Sequence, residues 1–284
     1  FGLLAISGLK KESMPSIVFD MVTISVAYPG AGPEEVEVGI IVKIEEALNS
    51  IEGIREIRST ASEGMARVQV QAKVDFAVLG TEESCTGDPA KRTGNEFLFQ
   101  MQAVSNIEVL NSYNVEKIVT ACPHCFNTLK NEYSSLGGDY KVMHHTQFLK
   151  SLLDEGRLAI EGGKFKGKRI TFHDPCFLGR ANDIYEAPRD LIKKLDAELV
   201  EMKNCRKKGL CCGAGGAQMF KDAESGDKEI NIERTEQAMQ VKPEIIAAGC
   251  PFCNTMMTDG VKNKAEGQIE VMDVAELIAN ASDL

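Results

Sequence analysis

Apolar and polar residues alternate along Phe19–Tyr28, which predicts a β-strand, and the residues PGAGP at 29–33 predict a turn after it. The segment 34–48 begins with acidic residues and then places apolar residues three or four apart, which predicts a helix with one buried face. Ile54–Arg58 and Met65–Val70 are two further predicted strands around a short turn. The opening segment therefore predicts a small β-α-β-β unit of the α+β type, half of a ferredoxin-like fold.

The character of the chain changes after Lys73. The apolar run VDFAVLG at 74–80 predicts a strand, and all nine cysteines lie beyond it. No segment rich in Pro, Gly and Ser marks the junction, so the joint is abrupt. We expect a domain boundary at Lys73/Val74, with residues 1–73 as one segment.

The remainder of the chain contains an internal repeat. KIVTACPHC at 117–125 matches EIIAAGCPFC at 244–253, and each follows a predicted helix that contains Asn-Ile-Glu. Each copy has an apolar strand that leads to a Cys-Pro-x-Cys turn and then to another helix. Strands that alternate with helices predict an α/β fold with short parallel sheets. We call residues 74–165 the first repeat and residues 166–284 the second repeat.

Composition limits the function classes. The 284 residues carry a formal net charge of -10 with a pI near 5.1, which argues against a nucleic-acid partner, because phosphate attracts basic surfaces. The nine cysteines are an odd number, which does not suit a fully disulfide-bonded secreted protein, and the sequence does not open with a signal peptide. We therefore expect reduced thiols and a cytoplasmic protein, in which clustered cysteines are metal ligands or catalytic groups.

Five cysteines of the second repeat form the main candidate site: Cys176, Cys211, Cys212, Cys250 and Cys253. The predicted strand 168–172 delivers His173-Asp-Pro-Cys176 at its carboxyl end, where α/β folds usually bind ligands. Thiolates select iron–sulfur clusters, zinc or copper(I), and Gly213 lets the backbone approach an inorganic sulfide. Because zinc is satisfied by four ligands, five thiols favour an iron–sulfur cluster over zinc.

These residues also carry a family resemblance. HDPCFLGR, LCCGAGGAQMF, NIERTEQA and CPFCNTM resemble the cysteine-rich CCG domain of heterodisulfide reductase catalytic subunits, and CTGDPAKRTGNEFLFQ at 85–100 is similar to relatives linked to electron-transfer flavoprotein. The resemblance covers residues 74–284. It implies that the five cysteines of the second repeat, with Gly213 beside them, bind a [4Fe-4S] cluster of the noncubane type.

The first repeat departs from the CCG pattern. Its Cys-Cys-Gly position reads Cys85-Thr86-Gly87, and only Cys85, Cys122 and Cys125 remain. Three thiols leave three alternatives open: zinc with His124 or an outside ligand, a partial cluster, or no metal at all. This repeat is a degenerate CCG unit with a possible second metal site.

Several other side chains have a functional and a plainer interpretation. His173 is a candidate catalytic residue that donates a hydrogen bond to a cluster sulfur or moves a proton, or it is a packing histidine. For the histidine pair at 144–145 a metal site is less favoured than a helix start capped by Thr146. Cys205 is expected to be a free surface thiol. The remaining candidates are arginines that offset cluster charge or are solvated, and methionines of the core: Arg180, Arg189, Arg234, Met219, Met256 and Met257.

A different resemblance covers residues 1–73. YPGAGPEEVE, KIEEALNSIEGI and EIRSTASEGMARVQV are similar to the first porter subdomain of the RND efflux transporters. The resemblance implies a fragment of such a transporter, or a small structural piece with no activity of its own. A transporter also needs apolar runs of about 20 residues, and the sequence has none.

We therefore expect an iron–sulfur oxidoreductase, or a subunit of one, that carries electrons between a flavin or iron–sulfur partner and a disulfide, thiol or quinone-linked acceptor. Its expected partners are an electron-donating flavoprotein or ferredoxin-like subunit in a hetero-oligomer, with the protein cytoplasmic or peripheral at the inner membrane face. The rival hypothesis is a non-catalytic structural protein with zinc or another metal in its Cys-x-x-Cys sites.

Overall fold

The computed structural model describes residues 21–27, 32–42, 45, 54–63, 65–72, 76–158, 160, 163–218, 221 and 226–281. The chain divides into two compact units. The N-terminal unit holds Phe1–Leu48 and Gly53–Thr81, and the C-terminal unit holds Asn49–Glu52 and Glu82–Leu284. The expected boundary at Lys73/Val74 lies outside the described residues, and so does Met219.

Three antiparallel strands form the sheet of the N-terminal unit. They are β1 Met21–Ala27, β2 Ile54–Ser62 and β3 Met65–Ala72, in the order β1-β3-β2. Between β1 and β2 lies the short helix α1, Pro33–Val36, which continues into a π-helical turn. Proline at the first helical position suits the start of a helix, because its missing N–H would have no partner there. The β-α-β-β order matches the sequence prediction.

The described part of the apolar run after β3 is not a strand. In its described part, Phe76–Leu79 has no regular structure, and Gly80–Glu82 forms a 3-10 turn. Val78 is 70% exposed, and no described strand pairs with this run. A strand needs a neighbour for its backbone groups, so apolar composition alone was not sufficient and the prediction was wrong here.

The second repeat is built on a four-stranded parallel sheet in the order β7-β6-β8-β9. Its strands are β6 Arg169–Phe172, β7 Glu198–Leu199, β8 Ile245–Ala248 and β9 Glu270–Asp273. All four residues of β8 are buried, since this strand lies between β6 and β9 and has helices on both faces. Parallel pairing requires crossover connections, and the helices of the repeat supply them.

The helices of the second repeat are α6 Glu186–Lys193, α7 Ile230–Met239, α8 Pro251–Lys264 and α9 Val274–Ala281. Ile245 and Ala247 pack into one core with residues of α6 and α9. Ile246 packs into the other core with Met257 and further residues of α7 and α8. This alternation along β8 places one core on each face of the sheet.

Gly260 sets the close approach of α7 and α8. A Cβ atom at this position would collide with Thr235 Oγ1 and would lie 3.1 Å from Asn231 O. The second Cys-x-x-Cys turn lies at the start of α8. A side chain at position 260 would therefore move that turn away from α7.

The first repeat has only half of this sheet within the described ranges. Its parallel strands are β4 Lys117–Thr120 and β5 Lys141–His144, and its helices are α2 Asp88–Arg92, α3 Glu96–Ser112, α4 Pro123–Asn127 and α5 His145–Asp154. Among the described strands, β4 pairs only with β5, and Val119 is 42% exposed. The described part of this repeat contains no equivalents of β6 and β7, so the duplication is present but the first copy is incomplete there.

The histidine pair serves helix starts. His144 is the N-cap of α5, where its Nδ1 accepts from Thr146 N–H at 3.4 Å and its own N–H donates to Gln147 Oε1 at 3.2 Å. His145 Nε2 lies 2.9 Å from Oδ1 of Asp273, the residue that precedes α9. The cap is therefore His144, and the expectation that Thr146 would cap this helix was wrong by two positions.

Candidate metal centre

The two central strands of the second repeat deliver its thiols to one edge of the sheet. β6 ends at Phe172 and leads into the loop that carries Cys176, and β8 ends just before Cys250, the N-cap of α8. Because β6 and β8 are adjacent and parallel, their carboxyl ends lie side by side. Cys253 follows in the first turn of α8.

The five thiols lie next to one another in an unbroken series. The contacts run from Cys176 to Cys211, to Cys212, to Cys253 and to Cys250. Cys212, Cys250 and Cys253 are buried, whereas the other two are half-buried. The structure therefore brings together all five cysteines that the sequence singled out.

The thiols of this series shift each other's pKa values in opposite directions. The pKa of Cys176 is raised because its thiol donates to Cys211 and is buried. The pKa of Cys211 is lowered because it accepts from Cys176 and Cys212. The pKa of Cys212 is raised to about 12 by its contact with Cys211 and by burial. Five thiolates at this spacing would repel each other, so a bound cation is needed to hold them all deprotonated.

Gly213 places a backbone donor against the thiols. Its φ of +95° lies in the region that only glycine adopts readily, and its N–H donates to Cys211 Sγ at 3.3 Å. A Cβ atom here would lie 3.3 Å from Ile230 Cβ. Gly87 in the first repeat has a φ of +86° and donates to Cys85 Sγ at 3.4 Å, so the two loops share one geometry.

The thiols of the first repeat continue the series of contacts. Thr86 Oγ1 donates to Cys125 Sγ at 3.4 Å, and Cys125 in turn contacts Cys122. The hydrogen bond with Cys125 lowers the pKa of Cys122, but contact with Cys250 and burial outweigh it and raise this pKa to about 12. Cys85 is exposed. The two repeats therefore meet thiol to thiol at Cys122 and Cys250.

The His124 side chain pairs with Asp88 and is not placed as a metal ligand in this structure. Its Nδ1 lies 2.9 Å from Asp88 Oδ2, and its ring centroid lies 4.3 Å from that of Phe177 in the second repeat. The desolvation of Asp88 raises its pKa, but hydrogen bonds from His124 and Arg92 outweigh it, so the pKa of Asp88 is lowered overall. His124 pairs with a carboxylate and packs between aromatic rings.

His173 lies at the buried end of the second site. Its side chain is fully buried, and one of its ring nitrogens lies within 4.8 Å of the sulfurs of Cys212 and Cys253. Nδ1 accepts from Arg234 Nε at 3.1 Å, and Nε2 has no partner among the described residues. Burial and the charge of Arg234 lower the pKa of His173 to about 3, so the ring is neutral.

The three candidate arginines have different surroundings. Arg189 is buried and donates to Asp174 at 2.7 and 2.9 Å as well as to Glu201, so its charge is used to hold the loop before Cys176. Arg180 donates to the carbonyl of Gly209, close to the Cys211 loop. Of the three, Arg234 is the one that bonds to the histidine of the site. The sequence did not predict the Asp174–Arg189 pair, which is separated by 15 residues and has no local motif.

The remaining candidates are peripheral. Cys205 is half-buried, outside the series of thiol contacts, and its pKa is raised by burial. Met256 packs against the buried cysteines, whereas Met257 is fully buried in the core beneath α8. No helix within the described ranges has the length and apolar content that a bilayer-spanning helix needs.

Comparisons with known proteins identify two family matches and several relatives. The family described as "Cysteine-rich domain" matches residues 54–130 and 170–258, and the AcrB/AcrD/AcrF family matches residues 1–79. A protein of Syntrophomonas wolfei named EtfAB:quinone oxidoreductase is 43% identical over 228 residues, which are 78% of this chain and 32% of that protein.

Two further relatives match a similar share of the chain. The probable iron-sulfur-binding oxidoreductase FadF of Bacillus subtilis is 45% identical over 218 residues, 76% of this chain and 30% of that protein. One of the subunits of the dihydromethanophenazine:CoB–CoM heterodisulfide reductase of Methanosarcina barkeri is 32% identical over 230 residues, 77% of this chain and 54% of that protein. The chain spans about a third to a half of the length of these curated relatives.

Proposed function

Because the chain belongs to the cysteine-rich domain (CCG) family, we propose that it works as an iron–sulfur electron-transfer module of the heterodisulfide reductase type. One observation carries the proposal: five thiols lie next to one another at the carboxyl end of the parallel sheet. They are Cys176, Cys211, Cys212, Cys253 and Cys250, in the order of their contacts. Soft donors at this density suit an iron–sulfur cluster.

The residues fit such a group. Besides the sulfurs, two buried donors have no partner among the described residues, His173 Nε2 and Arg234 Nη2, and sulfide sulfurs would accept from both. Five thiolates hold a [4Fe-4S] cluster of the noncubane form, and the bound cluster supplies one-electron transfer. The protein's part is to present the sulfurs, to exclude water through the burial of Cys212, Cys250 and Cys253, and to offer N–H groups to negative charge.

In this proposal the first repeat holds a second metal site with three thiols. Cys85, Cys122 and Cys125 bind zinc, completed by an outside ligand, or a partial cluster. The contact between Cys122 and Cys250 supports a path for electrons between the two sites, because it brings their sulfurs together without an intervening side chain.

The partners follow from the chemistry and from the names of the relatives. Electrons come from an electron-transfer flavoprotein or a ferredoxin-like subunit, and a disulfide, thiol or quinone-linked molecule accepts them. The names of the relatives include a quinone oxidoreductase and a subunit of a heterodisulfide reductase, which supports a role within a hetero-oligomer, at the membrane face through a partner where the acceptor is a quinone. The N-terminal unit is a structural segment in this proposal and carries no transport activity.

Anaerobic purification of the full chain tests the proposal. We expect a brown protein with thiolate-to-iron absorption, about four irons and four sulfides per chain, and a paramagnetic signal in one redox state. A colourless protein with stoichiometric zinc would instead support the structural metal-binding alternative. The comparison should include reconstitution with iron and sulfide, so that loss of the cluster during purification is separated from inability to bind it.

A further inference from the structure

His173 and Arg234 form a buried pair whose geometry determines where the histidine carries its proton. Neither side chain is exposed, and Arg234 Nε lies 3.1 Å from His173 Nδ1. Arg234 is held in place by two further bonds from Nη1, to Asn204 O at 2.7 Å and to Gln237 Oε1 at 3.0 Å. The guanidinium therefore has little freedom to turn away from the imidazole.

A guanidinium nitrogen can only donate, so Nδ1 of His173 must accept and must carry a lone pair. A neutral imidazole has one proton, which then resides on Nε2. With its proton on Nε2 and its Nδ1 lone pair engaged, the ring has no free lone pair for a metal.

This ring lies against the thiols of the candidate cluster. One ring nitrogen lies within 4.8 Å of Cys212 Sγ and Cys253 Sγ, and Nε2 has no partner among the described residues. A buried N–H without a partner is costly, and a sulfur atom would satisfy it. Distance alone would make His173 a candidate ligand, but its hydrogen bond to Arg234 excludes that role.

We propose that Arg234 is a positioning residue that fixes His173 as an Nε2–H donor to a sulfur beside Cys212 and Cys253, and that this hydrogen bond raises the reduction potential of the bound cluster. The inference rests on the proposed function. A donor to sulfur stabilises the more negative, reduced state, so its removal lowers the potential.

The tautomer can be measured without any cluster. Long-range proton–nitrogen correlation spectra of the metal-free full chain, labelled with 15N at histidine, distinguish Nε2–H from Nδ1–H and from the charged ring. We expect Nε2–H for His173 in the wild type and its loss or mixing in Arg234→Met. The signal is assigned by its absence in His173→Gln. Nδ1–H or a charged ring in the wild type would overturn the proposal.

The reconstituted chain gives the second test. We expect His173→Leu and Arg234→Met to keep their iron and to lower the reduction potential, and His173→Gln, whose amide N–H replaces the donor, to restore it. Arg180→Met removes a nearby positive charge without touching the imidazole and controls for charge alone. With 15N-labelled histidine, the cluster signal should show no nitrogen coupling of ligand strength. Such a coupling, or an unchanged potential in His173→Leu, contradicts the proposal.

The outcomes separate the two hypotheses. If the wild type binds no iron at all, the proposed function fails, while the tautomer spectrum still decides whether Arg234 fixes His173. If the cluster forms and His173 proves to be Nδ1–H, the proposed function stands and the inference fails. If Arg234→Met does not fold, the wild-type spectrum and the His173 variants still decide the inference.

Discussion

Thr86 Oγ1 donates a hydrogen bond to Cys125 Sγ at 3.4 Å, in the place where Cys212 contacts Cys253 in the second repeat. The flanking glycines agree: Gly87 and Gly213 each donate to the sulfur of the residue two positions earlier. The Cys-x-Gly turns of the two repeats therefore share this geometry, and their middle residues are Thr86 and Cys212. A hydroxyl in the first repeat occupies the position of a thiol in the second.

Thr86→Cys should therefore convert the first repeat into a four-thiol site. We expect the variant to bind additional iron or zinc after reconstitution, because its four cysteines are the number that a tetrahedral metal or a cluster needs. Metal content per chain is the measurement. Thr86→Ser, which keeps the hydroxyl, should match the wild type. Equal metal content in both variants would mean that the three remaining thiols of the first repeat do not converge on one centre.

Cys212→Ser should abolish the cluster or change its spectrum. The Cys212 thiol is buried and contacts both Cys211 and Cys253, so its loss breaks the series of donors in the middle. Iron content and the absorption spectrum are measured after anaerobic reconstitution. Cys205→Ser is the matched control, since this thiol lies outside the series and should leave both unchanged. Wild-type iron and spectrum in Cys212→Ser would exclude this residue as a ligand.

The sequence predicted those parts of the fold that depend on local patterns. The strands before each Cys-x-x-Cys turn and the position of Cys176 after a strand were visible because apolar runs and cysteines mark them directly. The pair of His173 and Arg234 was not visible, because the two residues are 61 positions apart and meet only when β6 and α7 pack together. The run Phe76–Leu79 was misassigned since pattern alone does not show whether a strand has a partner.

Gly213→Ala should weaken metal binding more than it weakens the fold. The positive φ costs about 1 to 3 kcal/mol for a residue with a Cβ atom, and this Cβ would also press on Ile230 and shift the N–H that meets Cys211. Gly267→Ala has a similar φ of +72° with nothing within 4 Å, so it shows the strain alone. Gly213→Ala should lose at least as much free energy of unfolding as Gly267→Ala, and of the two only Gly213→Ala should lose iron. Equal iron loss would show that strain alone is responsible.

Arg189→Met should destabilise the C-terminal unit strongly. Removal of this buried guanidinium leaves Asp174 buried without its bidentate partner, which costs about 3 to 5 kcal/mol. Arg157→Met breaks an ion pair whose side chains are 48% and 54% exposed and should cost less than about 1 kcal/mol. Denaturant unfolding of the metal-free chains gives both values. Similar midpoints for the two variants would argue that Asp174 gains another partner.

The buried His144 should make stability fall in mild acid. Its pKa is lowered to about 3 by burial and by the neighbouring His145, against about 6.5 in the unfolded chain. Between these values the unfolded chain binds a proton that the folded chain does not, so the free energy of unfolding decreases as pH falls. At pH 5 the loss from this residue is about 2 kcal/mol.

His144→Asn provides the comparison for this pH effect, because asparagine also caps helices but does not titrate. The difference in unfolding free energy between pH 7 and pH 5 should be smaller in the variant by about 2 kcal/mol, the part that comes from His144. His173 is also neutral and buried, so part of the slope should remain. Identical slopes in the two proteins would show that His144 is already charged at pH 5.

The pairing of the two parallel sheets also determines the order in which the protein assembles. In the first repeat Lys117 pairs with Lys141, which is close in sequence, whereas in the second repeat Ile170 pairs with Ile245. Closing the longer loop costs more chain entropy and is expected to be slower. Because the loop of Cys176 and the turn of Cys250 come together only after that closure, a nascent chain first exposes these cysteines as separate local groups. We therefore expect the five-thiol site to form only after the second sheet has folded.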